Sequence, residues 1–263
     1  MAVFFDQLNR TIHLPSPPKR IISVVPSQTE LLFYLGLNKE VIGITKFCIH
    51  LADKFKATTK VGGTKQLNIT LIKELTPDLI IANKEENERS QIEELMAVCP
   101  VWISDISNLD EALNMIKAVG QLIDRVDEAT VLSGLITKQF AQLNLQPLQL
   151  KVAYFIWRKP YMVAGKGTFI DDMLQRCGLT NVFEQNRYPA ITNKMLIDAD
   201  PDIVFLSSEP YPFKQKHIDE FKTQLPNAKI ILVDGEMFSW YGSRLLHAPG
   251  YFERLIYKTR NPE

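Results

Sequence analysis

Met237-Phe238-Ser239-Trp240-Tyr241-Gly242-Ser243-Arg244 concentrates more binding chemistry than any other stretch of this chain. Three large aromatic residues and an arginine follow the apolar run Ile230–Val233. Rings on a loop after a strand are costly to leave in water, so they meet either core or ligand. Trp240 and Tyr241 carry polar tips that suit a ligand wall, and Arg244 could read a carboxylate or phosphate. The alternative is that this loop packs the last helix onto the sheet, and that reading is preferred for Phe238. Trp157-Arg158-Lys159-Pro160-Tyr161 is a second aromatic and cationic stretch. It reads either as a wall for an anionic or ring-bearing ligand, with Trp157 and Tyr161 as contacts, or as a hairpin with solvated charges. Phe47 and Asn83 complete the candidates, each on a loop after an apolar run. Glu85 could join them, while Glu86 and Glu88 read as the acidic start of a helix.

Catalytic and metal signatures are sparse. The four histidines, His13, His50, His217 and His247, are scattered without metal-site spacing, although His50 and Glu209 fall on plausible loops. Cys48, Cys99 and Cys177 form no CxxC pair, so no disulfide framework or zinc site is expected. Cys48 and His50 lack a third orienting group. Gly62-Gly63-Thr64 and Gly165-Lys166-Gly167-Thr168 read as ordinary turns. No catalytic residue, no resident metal and no intrinsic cofactor are expected, and the chain is read as a binder rather than an enzyme. The 30 basic and 30 acidic residues cancel, which argues against a nucleic-acid partner. The start, Met1 to Asp6, does not read as a signal peptide, and no apolar run is long enough for a membrane helix.

The elements that must position these residues are legible as apolar runs. They are Ile21–Val25, Val41–Ile44, Leu79–Ala82, Val101–Ile103, Val152–Trp157, Ile203–Leu206 and Ile230–Val233. Continuous rather than alternating apolar character predicts strands buried on both faces of a mainly parallel sheet, with helices between them. The pattern also repeats. A strand, a Ser/Thr-bearing loop, a helix ending in Gly-Leu and a short strand occur from Ile21 and again from Val152. In each half a Ser or Thr is expected to cap the helix and the Gly to end it. A helix that stops before Pro-Asp occurs at Pro77-Asp78 and at Pro201-Asp202. The expected fold is α/β: two similar lobes with mainly parallel sheets, joined by a long backbone helix. The expected division is 1–107, a helical connector at 108–147 ended by Gln146-Pro147, and 148–263. In that connector the apolar positions Leu109, Leu113, Ile116, Val119, Ile123, Val126, Leu132, Leu135 and Phe140 fit the spacing of a buried helical face, read as one or two helices.

Arg20-Ile21-Ile22-Ser23-Val24-Val25-Pro26-Ser27-Gln28-Thr29-Glu30 resembles the opening of class III periplasmic binding proteins, the helical-backbone receptors for vitamin B12, ferric siderophores, haem and metal ions. Pro77-Asp78-Leu79-Ile80-Ile81 and Pro201-Asp202-Ile203-Val204 resemble the same family. The resemblance implies capture of a corrinoid, haem or ferric siderophore in the cleft between lobes, for uptake through an ABC permease, by a monomer outside the cytoplasm. Cobalamin binders of this family place aromatics where this chain has Thr64 and Asn83, while Phe47 matches an aromatic position. Relatives that dock on a permease carry a glutamate on each lobe where this chain has Thr70 and Lys194. One charge is missing and the other reversed, so that docking scheme is expected to be lost. The alternatives are a metal-ion receptor and a cytoplasmic regulatory module of the same fold.

Overall fold

The structure is a computed structural model and describes residues 2–143, 145 and 150–260. Among these, contacts divide the chain into two compact units. The first holds residues 2–106, 110–135 and 241–244; the second holds 107–109, 136–240 and 245–260. The segment expected as a separate connector is thus shared between the units, and its expected end at Gln146-Pro147 lies outside the described residues.

The first unit opens with an antiparallel hairpin of β1 (Ala2–Phe5) and β2 (Thr11–Leu14). It continues through β3 (Ile21–Ser23), α1 (Pro26–Tyr34), β4 (Val41–Ile44), α2 (Ala52–Ala57), β5 (Thr59–Lys60), α3 (Ile69–Glu74), β6 (Leu79–Asn83), α4 (Arg89–Met96) and β7 (Val101–Ser104). Two helices follow, α5 (Leu109–Leu122) and α6 (Val126–Gln142). The five-stranded sheet has the order β5-β4-β3-β6-β7 and is parallel throughout. Ile22, Val24, Ile80, Ile92 and Leu95 form its core; each such side chain contributes about 1.5–3 kcal/mol by burial.

The second unit contains β8 (Lys151–Trp157), β9 (Tyr161–Val163), α7 (Phe169–Arg176), β10 (Thr180–Asn181), β11 (Ala190–Ile191), α8 (Asn193–Ala199), β12 (Ile203–Ser207), α9 (Gln215–Gln224), β13 (Lys229–Val233), α10 (Gly235–Ser239) and α11 (Ala248–Arg260). Its sheet runs β11-β9-β8-β12-β13, with β10 also paired to β8. The β8, β10, β12 and β13 pairings are parallel, while β9 and β11 are antiparallel. Phe155, Val204, Leu206 and Phe221 are central to the core.

The repeat read in the sequence is physical. In each unit the first helix ends with a glycine at positive φ, Gly36 at 90° and Gly178 at 73°. The next residue reaches back five positions, Leu37 N–H to Leu32 and Leu179 N–H to Leu174. This is a Schellman ending, and glycine fits it because a Cβ is strained in that conformation. Gly178→Ala is expected to cost about 1 kcal/mol of stability, measured by denaturant unfolding. The Pro-Asp repeats also do one job twice. Asp78 accepts from the N–H groups of Lys19 and Arg20, and Asp202 accepts from that of Lys151. Each carboxylate pins the entry to its unit's first parallel strand.

Two expectations need correction. Thr168 caps α7 through its hydroxyl, but α1 has Val25 at its cap and no side-chain cap bond. Pro26 takes the first helical position, so Ser27 already lies inside the helix. Val126 and Leu135, expected on a buried face, are exposed. The chain turns through Asp124 at positive φ between α5 and α6. That turn resets the helical phase, and Ala129, Ser133 and Ile136 take the inward positions of α6.

Candidate functional site

In the second unit the carboxyl end of β8 delivers Trp157, which is 40% exposed. Its ring meets Tyr211 edge-on at 5.7 Å between centroids. The tight return into β9 then brings Tyr161 against Phe155 and Phe221 of the core. The Tyr161 hydroxyl donates to Glu220 at 2.9 Å, and Arg158 donates to the other oxygen of that carboxylate. Burial raises the Glu220 pKa, but the bonds from Arg158 and Tyr161 outweigh it, so the group stays below the usual glutamate range. A cavity of about 370 Å³ lies under this hairpin, lined by Arg158, Lys159, Tyr161, Ile191, Glu220 and Gln224, among others. The cationic character read in the sequence is therefore partly neutralised inside the unit, and Tyr161 is a half-buried wall rather than a free ring.

The aromatic stretch at 238–244 is fixed residue by residue. Phe238 is fully buried among Tyr154, Phe205 and Phe252. Trp240 is only 7% exposed, and its Nε1–H donates to Glu209 at 2.8 Å. Ser239 donates to the same carboxylate oxygen at 2.8 Å. Burial pushes the Glu209 pKa up; the Ser239 and Trp240 bonds oppose this, while Glu236 and Asp234 reinforce it. The chain passes from the second unit to the first between Trp240 and Tyr241. Tyr241 is 6% exposed and donates to Glu86 at 3.0 Å. Gly242, at φ 121°, lets the turn pass close to α1: a Cβ there would stand 3.2 Å from the Ser27 carbonyl oxygen. Ser243 and Arg244 both bond Glu30. Arg244 thus meets an acid of its own unit, which compensates the charge assigned to a ligand in the sequence reading.

The loops at the carboxyl edge of the first unit's sheet contain a buried polar knot that sequence reasoning missed. Asn83 donates to both the backbone and the hydroxyl oxygen of Ser104. Its own oxygen accepts the N–H groups of Glu85 and Glu86. Asn87 accepts from Asn83 N–H and donates to Val24 and Thr64 carbonyls. Gln28 donates to Ser104, and Thr29 bonds Ser23 and Val25. Cys48 lies within bonding distance of Thr29 and Thr45, and burial raises its pKa. The clue was present as Ser, Thr, Asn or Gln at or just past strand ends, but the pairings span up to 76 residues.

Phe47 stands apart from this knot. It is 50% exposed on the loop after β4, with the Lys46 ammonium 5.2 Å from its ring centre. Gly63 leaves room beneath it, since a Cβ there would come within 3.2 Å of the ring. Phe47 and Trp157 are therefore the two candidates with substantial open ring surface, one on the loop past β4 and the other the last residue of β8. Asn83 is buried with its side chain engaged in the loop. His217 caps α9 by accepting the Lys214 N–H at 2.8 Å. Among the described residues no group of three or more His, Cys, Asp or Glu is placed to hold a metal ion.

The family model described as periplasmic binding protein matches residues 21–229. The vitamin B12-binding protein of Pectobacterium carotovorum strain PC1 is 21% identical over 239 residues, covering 88% of this chain and 86% of that protein. The crystal structure of the periplasmic vitamin B12-binding protein BtuF of Vibrio cholerae superposes with a TM-score of 0.78 at 19% identity, covering 94% of this chain and 100% of that one. The periplasmic haem-binding protein HutB of Vibrio cholerae gives 0.75 at 20% identity, covering 90% and 98%. These structures share the fold.

Proposed function

The chain belongs to the periplasmic binding protein family, and from that premise we propose that it captures a metal-bearing or ring-rich small molecule, a corrinoid, haem or ferric siderophore, without transforming it. The observation that carries the reading is two open aromatic rings at carboxyl ends of strands: Phe47 on the loop past β4, and Trp157 as the last residue of β8. That edge is where open α/β sheets bind ligands. Flat apolar ring surface suits a large planar or ring-bearing ligand better than a bare ion. Tyr161, Trp240, Tyr241 and Arg244 are the further proposed contacts, with Asn83 as a supporting residue.

The relatives named for vitamin B12 and haem support this ligand class and a place outside the cytoplasm. Docking on a permease by paired glutamates is not part of the proposal. Thr70 is exposed on α3, and Lys194 is exposed at the start of α8, where it pairs with Asp198 at 2.9 Å. A transporter that recognises this protein would need a different charge pattern.

The test is tryptophan fluorescence during titration with cyanocobalamin, haem and a ferric hydroxamate siderophore, corrected for ligand absorption. Saturable quenching by one of them, at micromolar concentration or below, is the expected result. No saturable change with any of the three would remove these ligands and bring the metal-ion and regulatory readings forward.

A further inference from the structure

We infer that Asn83 and Glu86 are positioning residues for this binding site: they hold Tyr241, and through it the neighbouring Trp240, without touching the ligand themselves. The inference rests on the proposed binding role for its consequence, but its geometry stands alone.

The polar knot has one structural output. Asn83 is buried, and its amide nitrogen is fixed by Ser104. Its oxygen gathers the N–H groups of Glu85 and Glu86 into a tight turn. Asn87 closes the turn from the other side by accepting Asn83 N–H and gripping Val24 and Thr64. The Asn83, Asn87 and Ser104 side chains all find partners here, and such a satisfied set is rigid, because rearranging it strands a polar group away from water. The turn sets the backbone of Glu86, and the Glu86 carboxylate accepts the Tyr241 hydroxyl at 3.0 Å.

Tyr241 is the residue after Trp240, and Trp240 is held by Glu209 through its own indole N–H. Trp240 is thus anchored through its ring to Glu209 within its own unit, and the next residue, Tyr241, to Glu86 within the other. A third acid, Glu30, holds Ser243 and Arg244 just beyond. Three glutamates thus hold five of the six residues from Ser239 to Arg244. Preorganisation of this sort raises affinity by removing the ordering cost of the contact residues. A charge-assisted hydrogen bond to a buried tyrosine is strong enough to matter for that geometry.

The test uses the full chain carrying Trp157→Phe, so that Trp240 and the buried Trp102 are the remaining tryptophans. Glu86→Ala, Glu86→Gln and Asn83→Ala are compared by acrylamide quenching without ligand in that background, and by cyanocobalamin affinity in the chain that keeps Trp157. Glu86 is half-buried, so its variants are expected to fold, which thermal unfolding checks. Glu86→Ala should raise the quenching constant and weaken binding about tenfold. Glu86→Gln keeps an acceptor and should restore both, with affinity within about threefold of the parent. Asn83→Ala should behave like Glu86→Ala where it folds. Equal quenching and equal affinity in the two Glu86 variants would overturn the inference. If cyanocobalamin does not bind the parent, the ligand reading loses that member, while the quenching comparison still decides whether Glu86 positions Trp240.

Discussion

Trp157→Ala lowers ligand affinity about 30-fold while shifting Tm by less than about 4 °C. The two halves of that expectation come from one fact. Trp157 is 40% exposed at the end of β8, so its folded-state packing is limited to contacts such as the edge of Tyr211. A ring that contributes little to the core and much open surface to a ligand behaves as a binding hot spot, worth about 2 kcal/mol or more on truncation. Titration of the variant with the ligand that quenches the parent checks the affinity, and calorimetry checks the Tm. Unchanged affinity would remove Trp157 from the site. Trp240→Ala is a poorer probe. That indole is 7% exposed and bonded to Glu209, so truncation creates a cavity and costs about 3–5 kcal/mol of stability before any ligand is considered.

Glu209→Ala destabilises the second unit by about 2–3 kcal/mol, because it removes the acceptor of Ser239 and of the Trp240 indole. Glu209→Gln behaves differently. Gln retains an acceptor and carries no buried charge. Burial raises the Glu209 pKa in the folded protein, so the folded state holds that proton more tightly than the unfolded chain does. The carboxyl therefore favours folding below the ordinary glutamate pKa, and that contribution is lost as pH rises through the raised folded value. The Gln variant should equal or exceed the parent in stability at pH 8, and the gap should close as pH falls towards 5. Urea unfolding at several pH values measures this. A gap that widens on acidification would mean that the folded protein prefers the ionised form.

How much of this was legible in the sequence depends on the range over which each residue acts. Continuous apolar runs located seven of the strands within one or two residues, since burial on both faces leaves an unambiguous pattern. Thr168, Gly36 and Gly178 were legible because caps and Schellman endings are local. The hairpin of β1 and β2 was missed. Its strands are short, and what secures it is remote: the Trp102 indole donates to Phe5, 97 residues away. The candidate rings were named from local context, but their roles were not. Nothing near Tyr161 in the chain announces Glu220, and nothing near Arg244 announces Glu30. The polar knot was invisible for the same reason: Asn83 was legible as a candidate cleft residue, but its bonds to Ser104 and Asn87 were not.

The passage of residues 241–244 into the first unit has a consequence for synthesis. Glu30 and Glu86 are among the earlier residues made, yet Arg244, Ser243 and Tyr241, which bond them, emerge more than 150 residues later. The first unit thus cannot reach its final set of contacts on the ribosome until Arg244 has been translated. A nascent chain stopped at Trp240 carries a complete five-stranded parallel sheet in that unit but lacks the segment that meets those acids. Its maturation is timed by a segment more than 150 residues further along the message rather than by the stretch that encodes its sheet.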